Sequence, residues 1–596
     1  MTKQKKTDIF RIITVSPNLI QIEIIDAEKF KEEAEDFTIG SYLRISDETN
    51  TAIIAIVQSF KIKETNLGTE ETPVTSPIFI LDAQPIGFLD KDGNFKRGGQ
   101  QIAIPPKNVE IADEALMKKI YADVEEDKRF IFSTLAQNQN IEIGVDGDKF
   151  FSKHIAIVGS TGSGKSGTVA RILQEGILPT SAQDKKGILN NSHILLFDLH
   201  GEYATAFPKA QKLNVDNLVL PYWLMNSEEL EEMFIESNES NSHNQVSQFK
   251  ASVTLNKKRH NSSLQKVNYD TPVYFSIDEV FKYISNQNTS TKDAKTGELK
   301  IKTKIAGIAD EYLMFESIEF EDKVSGKINS GPYAGEFDRF VPRLETKIND
   351  DRLAFLLKPR KSNGSEYQTK DLEEILKQFI GYTKDNTTNI TIIDLSGIPF
   401  EVLSVVVSLI TRLVFDFCFY YKSIKKAKEE APFLIVLEEA HNYIPQSEGA
   451  KYHSVKKSVE RVAKEGRKYG LSLMIVSQRP SEISETIFSQ CNNFVAMRLT
   501  NPNDQQYVKR LMPDNISAIT DTLPVLERQE ALIIGDSIPI PTIVRVKDLT
   551  DKPDSNDIAF RTEWKKNWLN IVFDNLIKKM KKENNMDRKP KLSITK

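Results

Sequence analysis

HIAIVGSTGSGKSGTVARIL, residues 154–173, sets a complete G-x-x-x-x-G-K-S phosphate loop between a β-branched apolar run and a helical pattern. That context separates it from an ordinary glycine-rich turn. Gly159, Gly162 and Gly164 let the backbone curl so that successive N–H groups face phosphate oxygens, and the helix starting near Lys165 adds its positive end. Lys165 is expected to reach the β and γ phosphates of ATP, and the Ser166 hydroxyl to ligate Mg²⁺. The candidate cradle is Gly159, Ser160, Thr161, Gly162, Ser163, Gly164, Lys165, Ser166 and Gly167.

A second half-site follows far downstream. PFLIVLEEAH runs an apolar strand into Glu438 and Glu439. Buried parallel strands present side chains for chemistry at their carboxyl ends, where a phosphate loop also sits. Glu438 is therefore the candidate to hold Mg²⁺ through its water shell, and Glu439 to orient or deprotonate the attacking water. Read alone, an acidic pair at a helix start is equally a cap. LSLMIVSQRP ends another strand at Gln478, placed to sense a γ-phosphate between the loop and the acidic strand. In SVERVAKEGRKYG, Arg461 and Lys464 share a helix face and Arg467 sits near its end. Such arginines satisfy a helix dipole, or one of them enters a neighbouring subunit's nucleotide as an arginine finger.

With 596 residues, 39% of them hydrophobic, the chain is long enough for several domains with well-buried cores. Its two cysteines, Cys418 and Cys491, support neither a disulfide framework nor a thiolate metal site, and its seven scattered histidines lack metal-ligand spacing. The amino terminus MTKQKKTDIF lacks a signal peptide's apolar region, and the longest apolar run, 402–421, is interrupted by Ser404, Ser408, Thr411, Arg412 and Asp416. A buried helix, no membrane span and a cytoplasmic location are expected. The formal net charge of −5 excludes a globally basic nucleic-acid binder, so any grip on DNA must be local.

The reading is an α/β protein: a RecA-like P-loop core with an N-terminal β-barrel and an inserted helical subdomain. Short β-branched segments over 1–110 predict the barrel. A helical connector is expected over 111–150, from the spacing of Leu116, Ile120, Val124, Phe130 and Leu135. Core strands fall in 151–203 and 385–546, alternating with helices as in a mainly parallel sheet covered on both faces. Between them, 204–384 reads as mainly helical, with a loop-like part at 286–329. The tail, 547–596, is polar and basic, and Trp564 and Trp568 read as packing anchors ahead of a base-stacking platform.

GSTGSGKS, FDLHGEY, PYWL, LEEAHNYIP, KEGRKYGLSLMIVSQRPSEI, SQCNNFVAMRLTNPND and EALIIGDSIPIP together resemble the HerA family of hexameric DNA-translocating ATPases, relatives of FtsK. The resemblance covers nearly the whole chain, to about Val546. It implies a HerA–ATP synthase-type barrel, a RecA-like motor and a carboxyl-terminal brace onto the next subunit. It also implies that Lys165, Ser166, Asp198, Glu438, Glu439 and Gln478 form the ATP site, with Arg461 or Arg467 acting in trans. Two positions differ from the family's usual pattern: Lys153 stands where an arginine is common, and Glu-Glu where Asp-Glu is common. The bidentate fork of an arginine is thereby lost at Lys153.

In a ring of six, Lys451, His453, Lys456 and Lys457, with Tyr452, would line a channel and track the phosphates of duplex DNA; a solvated face is the alternative. The run Lys257, Lys258, Arg259, His260 is a weaker candidate. The resemblance implies a homohexamer that works with a NurA-like nuclease in DNA-end processing, or with an effector nuclease or sirtuin-type NADase in antiphage defence. The polar loops lean towards a bacterial defence system. A scaffold ring whose ATP site regulates assembly of a bound effector is the competing expectation, and a membrane-anchored FtsK-type pump is disfavoured.

Overall fold

The computed structural model describes residues 9–580 except 34–36, 47–50, 67–74, 98–107, 122–123, 179–188, 236–241, 304, 306, 383–386, 425–428, 447–452, 513–516 and 556–557. The chain divides into two compact units, Met1–Pro553 and Asp554–Lys596.

The first unit begins with strands β1 (Phe10–Val15), β2 (Ile20–Ile24), β3 (Tyr42–Ser46), β4 (Ala52–Asn66), β5 (Thr75–Leu89), β6 (Phe95–Arg97) and β7 (Asn108–Ile111). They pair in the order β1-β2-β5-β4-β3-β7, with β6 on β5. Ile20, Ile22 and Ile24 of β2 and Leu43 and Ile45 of β3 recur at every second position and share one buried face, as the pleat requires. Register shifts after Ile54 and Val57 bend the long β4–β5 pair. The edges β1 and β7 approach each other but share no ladder among the described residues, so the sheet is a half-barrel and not the closed barrel expected from sequence. Closure needs a continuous ladder along both edges, and β7 has four residues.

The main sheet follows. Its strands are β8 (Arg129–Leu135), β9 (Glu142–Asp146), β10 (Ile155–Val158), β11 (His193–Asp198) and β12 (Gln211–Leu213). A separate hairpin, β13 (Thr291–Asp293) with β14 (Ile328–Ser330), comes next in the chain. The sheet resumes with β15 (Ile390–Asp394), β16 (Phe433–Leu437), β17 (Leu471–Ser477), β18 (Asn493–Met497), β19 (Glu530–Gly535) and β20 (Thr542–Val546). Eleven strands lie in the order β12-β15-β11-β16-β17-β10-β18-β19-β20-β8-β9. From β12 to β18 every pairing is parallel, and from β18 onward every pairing is antiparallel. Each residue of β10, β16, β17 and β18 is buried, the continuous apolar pattern of a parallel sheet covered on both faces.

The structure differs from the sequence reading at the connector, the insertion and the tail. Among the described residues of the expected helical connector, helices cover Glu114–Tyr121, Glu126–Lys128 and, from Gly147, the short helix Gly147–Ser152; Arg129–Leu135 is a strand, and β8–β9 forms the far edge of the main sheet. Leu116 and Ile120 belong to the helix whereas Phe130 and Leu135 belong to the strand, so one helical period was laid across two elements. The stretch assigned to an insertion from 204 contains β12, which pairs with β15 in the main sheet. The rest of it carries helices Ser227–Phe234, Ser242–His260, Ile277–Thr289 and Phe340–Ile348 but also long irregular connections, so it is less helical than expected. In the second unit, Trp564 and Trp568 are 79% and 92% exposed, Trp564 standing edge-on to Phe560 at 5.3 Å, so neither is buried within that unit.

The helix Phe400–Ser423 is the one described helix long and apolar enough to cross a membrane, yet it lies in the core with Val405–Ile410 buried. Four of the polar residues that interrupt it, Ser404, Ser408, Arg412 and Asp416, recur every fourth position and line up on one face. Ser404 donates to Glu232 at 2.6 Å and Ser408 to Glu229 at 2.9 Å, while Arg412 donates to Glu229 at 2.8 and 3.1 Å and reaches Asp416 at 3.4 Å. Glu229 is wholly buried and also closes the capping box of helix Ser227–Phe234 with Asn226. Removing one partner of a buried pair strands the other charge, at a cost of about 3–5 kcal/mol. Glu229→Ala is therefore expected to lower the stability read by chemical denaturation by about that amount, whereas Glu229→Leu with Arg412→Met recovers much of the loss.

Candidate functional site

The site grows from the end of β10. Ser160 N–H donates to the Arg498 carbonyl at 2.7 Å and Gly159 N–H to the Ser477 carbonyl at 3.3 Å, so both flanking strands fix where the loop departs. A Cβ on Gly159 would lie 2.6 Å from Ser163 Oγ and 2.8 Å from Met497 Cβ, which admits only glycine. Gly164 turns with φ of +106° into the helix Lys165–Ile177. The loop's outer side rests on Gln529, whose N–H donates to the Ser163 carbonyl at 3.1 Å from a left-handed backbone at φ 69°.

Lys165 is 7% exposed, with Nζ 4.0 Å from Glu439 Oε1. Burial pulls its pKa down, opposed by Glu439, Glu438 and Glu202. β16 and β17 carry the acidic and sensor residues to the same edge. Glu438 is buried, and burial followed by its neighbours Glu439, Asp198 and Glu202 raises its carboxyl well above the ordinary range, against the pull of Lys165. Gln478 takes the Thr161 hydroxyl's hydrogen bond at 2.5 Å, so the sensor strand touches the loop directly.

Glu439 sits at φ 47°, ψ 45°, a left-handed conformation costing a non-glycine residue about 1–2 kcal/mol. Its neighbours enforce it. Asn442 donates from its backbone and its side chain to the Glu439 carbonyl at 3.0 and 3.1 Å, and the Tyr443 hydroxyl to the Glu438 carbonyl at 2.7 Å. Ser163 Oγ, Glu438 Oε2 and Glu439 Oε2 are buried and lack hydrogen-bond partners within the protein. Such orphaned oxygens beside a phosphate loop fit a phosphate chain with hydrated Mg²⁺, held by Ser166 and, through water, by Glu438.

Asp198 is placed differently from the inference drawn for it. Its carboxylate accepts from the backbone of Gly201, Glu202 and Tyr203 at 2.9, 3.1 and 2.9 Å, and so shapes the loop instead of facing the ligand. That loop delivers Glu202 against the Ser166 hydroxyl. Glu202 was missed in the sequence although FDLHGEY contains it, because only the strand-end carboxylate was followed. His441, beside Glu439, was missed in the same way.

Lys153 lies before β10, at the opposite end from the loop, and pairs with Asp536 at 2.5 Å; it does not belong to its own chain's cradle. Arg461 stacks on Phe415 at 4.2 Å and lies 3.7 Å from Asp416, while Arg467 is exposed on the turn Gly466–Tyr469. Of the candidate channel residues, Lys451 and Tyr452 lie outside the described residues, His453 is exposed, Lys456 is half-buried, and Lys457 pairs with Glu228. The run in the insertion is largely consumed. Lys257 is fully buried, donating to the carbonyls of Tyr269 and Thr271 at 2.6 and 2.7 Å, and burial lowers its pKa to about 7. Arg259 pairs with Glu316 at 2.9 Å and His260 faces Glu279 at 2.9 Å, which leaves Lys258 exposed.

Comparison with known proteins agrees with this geometry. Residues 130–414 match the family described as helicase HerA, central domain. A probable helicase of Methanocaldococcus jannaschii is 25% identical over 490 residues, covering 81% of this chain and 78% of the relative. The DNA double-strand break repair helicase HerA of Pyrococcus furiosus is 24% identical over 510 residues, covering 79% of this chain and 80% of the relative. Among solved structures, VirB4 of Thermoanaerobacter pseudethanolicus aligns with a TM-score of 0.44 at 12% identity, over 72% of this chain and 98% of that one. The plasmid coupling protein TrwB, in complex with a non-hydrolysable ATP analogue, aligns with a TM-score of 0.42 at 12% identity, over 75% and 95%. The phosphate loop, the buried acidic strand end and the sequence relatives converge: this chain is a P-loop ATPase whose residues 130–414 match the HerA central domain and which is similar to HerA helicases over most of its length.

Proposed function

We propose that this chain is an ATP-driven DNA translocase, acting in the cytoplasm as a homohexameric ring that passes duplex DNA through its channel in concert with a partner nuclease or other effector. The observation that carries the reading is the buried set Lys165, Glu438 and Glu439 beside the phosphate loop, each glutamate with one carboxylate oxygen lacking a hydrogen-bond partner. Lys165 holds the β and γ phosphates, and the carboxylate of Glu439 orients and takes a proton from the attacking water. Mg²⁺, when bound at Ser166 and Glu438, neutralises charge on the phosphates. Arg467, exposed and near the end of its helix, suits a finger reaching a neighbouring subunit better than Arg461, whose guanidinium is already stacked on Phe415. Relatives named for double-strand break repair support DNA-end processing, and a defence effector is the other partner class. A pull-down that recovers a stoichiometric nuclease identifies the first, and a recovered NAD-consuming enzyme the second.

Lys165→Ala is expected to abolish ATP turnover, because the phosphates lose the loop's one point charge. Glu439→Gln should bind ATP with near-normal affinity yet turn over about 10²–10⁴-fold more slowly. Steady-state kinetics together with nucleotide binding check both, and near-normal hydrolysis in either variant removes the motor reading. Mixing Arg467→Ala subunits with Lys165→Ala subunits should restore some active interfaces; no recovery in verified mixed rings argues against a trans role. DNA affinity should fall steeply with salt, and Lys451→Ala with Lys456→Ala should weaken binding and flatten the salt slope while ATPase and assembly persist. An unchanged slope in an intact ring moves the DNA contact elsewhere.

A further inference from the structure

The water-orienting role proposed for Glu439 raises the question of what holds its carboxylate once Lys165 turns to the phosphates. Lys165 Nζ lies 4.0 Å from Glu439 Oε1. On the other side stands His441, whose Nδ1 is 3.3 Å from Glu439 Oε2 without donating to it. His441, its side chain 8% exposed, lies on the turn Ala440–Asn442, two residues beyond the left-handed Glu439.

Its surroundings assign its proton. The Asn442 amide nitrogen, a donor, approaches His441 Nε2 at 3.5 Å, so Nε2 accepts and Nδ1 carries the hydrogen. That hydrogen is aimed at Ser477 Oγ, 3.1 Å away, with the Glu439 carboxylate beside it. Ser477 Oγ also accepts from the Arg479 N–H at 2.9 Å. Ser477 ends β17, and the next residue, Gln478, receives the hydrogen bond from Thr161 of the phosphate loop. A connected path therefore runs from Thr161 through Gln478 and Ser477 to His441 and Glu439. Burial keeps His441 below its ordinary pKa, against the pull of Glu439, so it serves as a neutral donor near neutral pH.

We propose that His441 is the positioning residue for Glu439: its ring, fixed to Ser477 at the end of the sensor strand, stands against the carboxylate and limits where it can turn, so that the state of the phosphate loop at Thr161 and Gln478 sets where the attacking water is oriented. His441 touches neither phosphate nor the loop itself, so its loss should act on turnover and leave the cradle intact. The strained backbone at Glu439 makes this dependence sharper, since its main chain is already pinned by Asn442 and Tyr443 and only the side chain remains to be steered.

The inference rests on Glu439 having the role proposed above, and a double-mutant cycle separates the two claims. His441→Ala should lower kcat about ten- to hundredfold, as a misplacement of about 1 Å does, with KM for ATP and the affinity for a fluorescent ATP analogue nearly unchanged. His441→Asn, which restores a donor near the Nδ1 position, should recover part of kcat, whereas His441→Leu should not. In a Glu439→Gln background, His441→Ala should cost little more, because the group it positions is already gone. Full activity of Glu439→Gln overturns both claims. A slow Glu439→Gln beside an unaffected His441→Ala, an equal His441→Ala loss in both backgrounds, or a parallel loss of nucleotide affinity overturns the positioning role alone.

Discussion

Lys165, Glu438, Glu439, Asp198 and Glu202 share one end of the parallel strands, where burial raises the cost of every uncompensated charge. Most of the local architecture answers that cost. Asp198 is satisfied by three backbone N–H groups, Glu439 is flanked by Lys165 and His441, and Glu438 is left with its charge disfavoured until a cation arrives. A site in this condition is tuned to a polyanion carrying its own metal, because that ligand supplies both the acceptor for Lys165 and the cation for the carboxylates.

The sheet's change of sense at β18 serves the same end. Parallel strands on either side of β10 bring their carboxyl ends together around the loop, which is where chemistry accumulates in such sheets. The antiparallel strands β19, β20, β8 and β9 then extend the sheet beyond the loop, and the turn before β19 brings Gln529 back to brace it.

What could be read from sequence divides along physical lines. The phosphate loop, the acidic strand end and Gln478 were legible because their chemistry is encoded within a few consecutive residues, and β10, β16, β17 and β18 because continuous apolar runs mark strands buried on both faces. The strand at Phe130 was not, since a window spanning Leu116 to Leu135 averaged a helix and a strand into one period. Glu202 and His441 gain their meaning from an Asp198-shaped turn and a contact across two strands, neither of which has a local signature. Charge runs misled for a related reason. Lys457 meets Glu228 and Arg259 meets Glu316, partners distant in sequence that cancel the positive surface the run suggests.

The polar stripe on the helix Phe400–Ser423 has a mechanical meaning. One end of the stripe grips Glu229 and Glu232 of the helix Ser227–Phe234; the other, through Asp416 and Phe415, grips Arg461 on the helix His453–Glu465, with Ser408 also touching Ser458. Charged couplings centred on a buried Glu229 do not slide: they hold or they break. The three helices therefore behave as a stiff strut, and a load taken up on the segment between β12 and β15 is delivered without slack to the base of the arginine-bearing helix.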